Sequence, residues 1–447
     1  MTKEMEIPYK YHQIKPIFDD ELNFLNKHLG GVVKPESWRH GQSIFLDPYQ
    51  NKPYLTFNIK EGELVLKRLY EDRVGNDRLT LEEVISRESN RLDILEKESI
   101  DKIDEIFKTY DSHIKYGSYS GGKDSDMIYH LLVNKMGKVS LKWIMANTSN
   151  DTAETFKKVK AIPNIQIISP KVGFYQWIKD VKNYYTPTRL VRNCCSTFKE
   201  GQIAKAFSKD DEILMITGVR KYESAKRKAY QFVMDDDFNK ELFGKNNWSP
   251  KWVTFAPIVN WTDVDVWLYI IREGIQYNKQ YDYGYNRCGC LICPYQHDYI
   301  DLLTQEHYPN QWNRWKRVLE KNYSIYQIKN SLHWTLKEWQ DGKWKLGGSK
   351  EGELIRLKGT PERIQQVADI KGVTYEIAEK YFKKKCHVCG KSIGNPDIIS
   401  MNLKMIGREM DLDKLMCKKH LCEFLEINQK QYTEKVVQFR NSECDLF

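Results

Sequence analysis

The chain of 447 residues contains no apolar run approaching the stretch of about 20 residues that a membrane-crossing helix needs. No contact with a membrane is therefore expected. Its first residues, MTKEMEIPYKYHQ, lack the apolar segment of a signal peptide, and no internal repeat or low-complexity tract is found. Ten cysteines without an export signal read as metal ligands or reactive thiols rather than disulfides, and a cytoplasmic location is expected. Charge of one sign is not in large excess either. The net charge of +9 is mild for this length, and residues 301–447 hold 26 Lys and Arg against 20 Asp and Glu, roughly two thirds of the surplus. That balance suits a polyanionic partner without separating a nucleic acid from a nucleotide.

The most telling segment is Tyr116 to Ser125, YGSYSGGKDS. A short apolar strand runs into a loop with two glycines, and a helix is expected to start near Asp126. Glycines let backbone amides approach an anion, and the helix start favours negative charge. The segment thus reads as a phosphate cradle. It is not the Walker loop, because Asp124 rather than Ser or Thr follows Lys123 and the glycine spacing differs.

Four regions are expected. Residues 1–90 form an accessory N-terminal region with a hairpin over Tyr54 to Arg68 turning at Glu61-Gly62. Residues 91–300 open with a helix over Asn90 to Tyr110, marked by Leu92, Ile103, Ile106 and Phe107. They continue as alternating strand and helix signals: the cradle strand, Leu141 to Ala146, Ile165 to Ser169 and Ile213 to Gly218. Such alternation predicts a parallel α/β sheet, with ligands bound at the carboxyl ends of its strands. Residues 301–380 read as helical and rich in tryptophan and basic side chains, and residues 381–447 as a Cys-rich module.

The six residues Ser120, Gly121, Gly122, Lys123, Asp124 and Ser125 resemble the pyrophosphate loop of the PP-loop N-type ATP pyrophosphatases. Asn147-Thr148 with Glu154-Thr155 is similar to the D-T-G…E-T segment of the phosphoadenylyl-sulfate (PAPS) reductase branch, with asparagine for aspartate. Gly218, Arg220, Glu223, Ser224 and Arg227 resemble its G-x-R…E-S…R element, and Pro257, Trp261, Asp265, Val266 and Trp267 its tryptophan signature. The resemblance implies a PP-loop domain binding ATP or an adenylyl sulfate. Lys123, Asp124, Arg220 and Arg227 would then be catalytic, and Ser120 to Ser125, Asn147, Gly218 and Glu223 would line the nucleotide. Arginine forks suit phosphate or sulfate oxygens. Asp124 could orient the loop or help to hold magnesium. Trp261 and Trp267 are read as core.

Cys194-Cys195 and the later Cys290-x2-Cys293 resemble the [4Fe–4S] ligand set of the adenylyl-sulfate (APS) reductases, leaving Cys288 as a spare thiol or a replacement. Zinc or buried free thiols are the alternatives. Cys386-x2-Cys389 and Cys417-x4-Cys422, with His420 between, have the spacing of a structural zinc site, in which Cys422 or His420 completes the set. Cys444 faintly resembles the reductases' terminal attacking cysteine, but no glycine or histidine follows it.

Trp312, Trp315, Trp334, Trp339 and Trp344 alternate with basic residues. They can be read as a strand-binding surface or, preferably, as a buried helix face. Ile370 to Val373 with Ala378 weakly resembles a helix-hairpin-helix. The combined expectation is ATP-dependent activation of a substrate with release of pyrophosphate, followed by iron–sulfur-assisted sulfur incorporation into nucleic acid. DNA or tRNA would be the acceptor and a cysteine desulfurase a possible sulfur donor. The alternatives are a thiol-dependent APS/PAPS reductase and a non-catalytic nucleotide-binding defence or regulatory module.

Overall fold

The computed structural model describes residues 14–75, 78–189, 194–208, 210–223, 227–235, 251–330, 334–346, 359–380, 382–393, 398–399, 401–402 and 414–441. Two compact units divide the chain. One comprises Met1–Pro187, Arg192–Asp236 and Asn247–Lys321, the other Thr188–Val191, Asp237–Asn246 and Asn322–Phe447. The residues before Asn90 thus share a unit with the expected nucleotide domain.

The head of the first unit is an antiparallel sheet in sequential order: β1 (Lys15–Pro16), β2 (Trp38–His40), β3 (Ser43–Phe45), β4 (Leu55–Lys60) and β5 (Glu63–Leu69). The β4–β5 hairpin turns at Glu61 and Gly62, both with positive φ (52° and 82°), the backbone that matches strand twist in a two-residue loop. Helix α1 (Asp19–Leu29) packs Phe24, Leu25 and Leu29 into the head core, among Ile44, Leu55, Phe57 and Leu64. Helix α2 begins at Leu81 rather than near Asn90, because Thr80 and Glu83 form a reciprocal capping box there. It runs to Thr109 and buries Val84, Leu92, Ile103 and Ile106.

The central sheet holds β6 (Ile114–Ser118), β7 (Lys142–Ala146), β8 (Ile165–Ile168), β9 (Glu212–Ile216), β10 (Val233–Met234) and β11 (Lys251–Phe255), in the order β10-β11-β9-β6-β7-β8. All neighbours pair in parallel except β10 with β11. Side-chain alternation sends Trp143, Met145, Leu214 and Ile216 to one core and Ile144, Ile213 and Met215 to another. Gly117 makes room for an indole: a Cβ there would lie 2.3 Å from Trp143. The chain moves outward from β6 to β7 and β8, then returns to place β9 on the other side of β6. Loops leaving the carboxyl ends of β6 and β9 therefore diverge around a crevice, the position where such sheets bind ligands.

All five tryptophans weighed for base stacking are buried, at 7% exposure or less, so the core reading holds for them. Trp312 and Trp315 belong to the first unit; in the second, Trp339 donates its ring N–H to Asn322 Oδ1 at 3.0 Å. Trp261 and Trp267 are likewise buried. In the second unit, helices Pro361–Lys371 and Tyr375–Lys380 meet around Ile364, Val367, Ala368 and Ala378, with Gly372 left-handed between them (φ 63°). No helix among the described residues is long and apolar enough to cross a membrane.

Candidate functional site

The loop after β6 is shaped by its neighbours. Gly121 is left-handed (φ 74°), and a Cβ there would lie 3.1 Å from Thr155 Cγ2. Gly122 is the N-cap of helix α3 (Lys123–Tyr129) and has no side chain to satisfy the first amides. One amide finds its acceptor elsewhere in the chain, and the Gly122 carbonyl is held by a serine. Tyr281 Oη accepts from the Lys123 amide at 3.0 Å, and Ser125 Oγ donates to the Gly122 carbonyl at 2.7 Å. Asn278 donates to the Gly121 carbonyl (3.3 Å) and to Thr155 Oγ1 (2.9 Å).

Four charged side chains close the crevice. Lys123 Nζ lies 2.9 Å from both Asp124 Oδ2 and Asp263 Oδ1. Arg220, reached from β9, places Nε 2.8 Å from Asp124 Oδ1 and a terminal nitrogen 2.5 Å from Asp263 Oδ1. Gly218 permits this approach, since a Cβ there would lie 2.9 Å from the Asp124 backbone. Burial alone would raise the Asp124 pKa, but Arg220 and Lys123 hold it below the usual carboxylate range. Both Asp124 oxygens are taken by the chain's own cations, which fits the orienting role rather than a magnesium ligand. Arg227 pairs with Glu223 at the crevice side. Asn147 shapes the turn after β7, accepting from the Ser149 amide (2.7 Å) and donating to Ser169 Oγ (3.0 Å). Ser224 and Cys444 lie outside the described residues.

Three residues in this site carry no sequence expectation. Asp263 stands two residues before Asp265, the motif position, yet Asp265 turns away to cap its own helix at Thr262 and to pair with Arg91 (3.1 Å). Tyr281 gives no local signal. Asp126 is buried under the cradle, where Tyr119 donates to it at 2.5 Å and Lys158 approaches to 3.1 Å, while its Oδ2 has no partner. Burial pushes its carboxyl up to about 6 against the pull of Lys158.

Two distant segments place thiols near Cys194. Cys194 and Cys195 hydrogen-bond to each other, and that bond, burial and the nearby Cys195, Cys290 and Cys293 push the Cys194 thiol up. The Cys290 to Cys293 loop is latched to the turn after β7: Asn150 accepts from the Leu291 amide at 2.6 Å and donates to the Ile292 carbonyl at 2.8 Å. Lys199 is held up to about 12 by Cys290, against burial, with help from Cys195 and Asp151. Cys288 faces the cradle instead: its Cβ would lie 3.7 Å from a Cβ built on Gly122.

The second cysteine set forms a compact donor cage in its own unit. The ligand atoms of Cys386, Cys389, Cys417 and His420 lie within 4.8 Å of one another. His420 Nδ1 is 3.3 Å from the sulfurs of both Cys386 and Cys417, and Gly390 takes the left-handed turn of the first knuckle (φ 67°). The Cys386 thiol is drawn down to about 6 by the amides of Cys417 and Cys389, against burial. Of the two candidates for the fourth position, Cys422 does not join. It is buried among Met401, Met416, Leu421, Tyr432 and Val436. Two residues beyond His420 on the same helix is about 200° around its axis, so of the two candidates His420 is the one that faces the cage.

Residues 116–296, about two fifths of the chain, match the phosphoadenosine phosphosulfate reductase domain model. An uncharacterized protein of Methanocaldococcus jannaschii is 26% identical over 346 residues, covering 70% of this chain and 68% of that protein. That similarity therefore reaches beyond the matched domain. A second uncharacterized protein of the same organism is 29% identical over 249 residues, 54% of this chain and 56% of that protein. Adenosine 5'-phosphosulfate reductase 2 of Bacillus subtilis is 27% identical over 218 residues, 45% of this chain and 84% of that protein.

Proposed function

We propose that the crevice binds ATP and activates a substrate for sulfur transfer. The observation that carries this reading is the meeting of Lys123, Asp124 and Arg220 at the ends of β6 and β9, on the same unit as the paired thiols of Cys194, Cys195, Cys290 and Cys293. In this reading the cradle amides and Lys123 neutralise the phosphates, and Arg220, oriented by Asp124 and Asp263, faces the transferred group. A substrate oxygen attacks the α-phosphorus; the new O–P bond forms as the bond to the β-phosphate oxygen breaks, and pyrophosphate leaves. Cys194, Cys195, Cys290 and Cys293 would hold the cluster, which when bound supplies the electrons or sulfur coordination that the later exchange requires. Nucleic acid is the proposed acceptor, a polyanion with which the basic surplus in residues 301–447 is compatible. The zinc cage would staple the second unit.

A second reading is favoured by the named reductase relatives: the crevice holds an adenylyl sulfate, and a thiolate attacks its sulfur and expels AMP. One anaerobic experiment separates the two. Protein loaded with iron and sulfide is incubated with ATP plus nucleic acid, or with adenylyl sulfate plus a dithiol. Pyrophosphate and sulfur-labelled nucleic acid support the first reading; sulfite from adenylyl sulfate alone replaces it with the second.

A further inference from the structure

We propose that the N-terminal head is a positioning element for the nucleotide cradle, acting through the buried charges Lys15, Glu21 and Arg39. The inference rests on the nucleotide reading of the cradle. The segment from Asn278 to Asn286 has two working sides. One braces the cradle, through Asn278 on the Gly121 carbonyl and the Tyr281 hydroxyl on the Lys123 amide. The first amides of a helix have no intrahelical partner, and with glycine at the N-cap, Tyr281 supplies the acceptor from elsewhere in the chain. The same hydroxyl accepts from the Cys288 amide at 3.4 Å, so one atom sets both the cradle and the start of the thiol loop.

The other side of the segment is gripped by the head. Lys15 Nζ donates to the Tyr281 carbonyl at 3.2 Å, and the Glu21 amide to the Asp282 carbonyl at 2.8 Å. Arg39 reaches the Gly284 carbonyl at 2.7 Å and Asn286 Oδ1 at 2.8 Å. Gly284 has φ 104°, and a Cβ there would lie 2.8 Å from the Glu21 carboxyl group. Glu21 in turn receives Lys15 (2.6 Å), Arg39 Nε (2.5 Å) and the Tyr299 hydroxyl (3.1 Å).

All three charged side chains are at most 2% exposed. Simple adhesion between head and sheet domain would be served as well by apolar residues, because burying ions is costly. What the ions add is direction: charge-assisted bonds aimed at the carbonyls of Tyr281 and Gly284. The head therefore fixes where the Tyr281 hydroxyl stands.

The test uses the full chain and compares Tyr281→Phe, Glu21→Gln and Leu64→Ala. The last removes a side chain from the head core without touching the network. Amide hydrogen exchange over residues 119–127 is measured without ligand, and ATP binding by calorimetry. Tyr281→Phe and Glu21→Gln are expected to speed exchange in that stretch by about tenfold and to weaken ATP by a similar factor, roughly the worth of one hydrogen bond. Leu64→Ala should leave both unchanged. Should Glu21→Gln not fold, Arg39→Lys carries the test, since it keeps the charge but loses the fork onto Gly284 and Asn286. Faster exchange confined to residues 15–69, with the wild-type rate kept over 119–127, overturns the inference. Wild-type protein that binds no adenine nucleotide overturns the nucleotide reading instead, and exchange still decides the role of the head.

Discussion

Asp124 holds Arg220 at 2.8 Å across the crevice between the ends of β6 and β9, through a carboxylate that also receives Lys123 at 2.9 Å. One anion thus orders two cations from separate loops. Both cations are buried, so their orientation is set before any ligand arrives. Preorganised charge of this kind is what stabilises a developing phosphoryl or sulfuryl charge.

Asp124→Asn leaves Lys123 and Arg220 with Asp263 as their shared carboxylate. A loss of about 3 kcal/mol in unfolding free energy is expected, measured by urea denaturation at pH 7. Because the folded carboxyl titrates below its ordinary 3.8, its contribution is present above that pH and is lost as pH falls through the folded pKa. The difference between wild type and variant should therefore shrink on acidification. A difference that stays constant from pH 7 to pH 3 would show that the ion pairs contribute nothing.

Asp126 shifts in the opposite sense. Its folded pKa of about 6 exceeds its ordinary 3.8, so between these values the folded state retains a proton that the unfolded chain has released. Stability from this group is greatest below the unfolded pKa and falls as pH rises through 6, by about 3 kcal/mol in total. Asp126→Asn cannot ionise and should remove that slope, read from denaturation midpoints at pH 4 and pH 7.

Zinc content distinguishes the cage from its neighbour. Protein produced with zinc should retain one ion per chain at the Cys386 cage. Cys417→Ser or His420→Ala should release it, whereas Cys422→Ser should keep it and lose only packing. Metal analysis after gel filtration reads the result; loss of zinc from Cys422→Ser with retention in His420→Ala reverses the assignment.

Much of the fold was legible where chemistry is local. The left-handed pair Glu61-Gly62 announced its hairpin, Ser120 to Ser125 its strand-loop-helix, and Cys386-x2-Cys389 its knuckle. Trp312 and Trp315 were legible as core from their spacing of three, whereas Trp334, Trp339 and Trp344, five apart, carry no such signal. The apolar stripe of α2 marks its middle but not its start, which the Thr80 and Glu83 capping box sets at Leu81. The spacing leaves Cys422 and His420 open as the fourth donor, because only the turn of the helix sends the two side chains to different sides.

The residues themselves determined a glycine loop able to meet an anion, parallel strands to carry it and cysteine pairs able to hold metal, since each depends on neighbours a few positions apart. Only the tertiary structure decided that Asp263 rather than Asp265 enters the crevice, that Tyr281 caps a helix 158 residues away, and that Lys15 grips a carbonyl 266 residues away. Such partners meet through packing, and a hydrogen bond leaves no spacing in the sequence when its two ends lie on different elements.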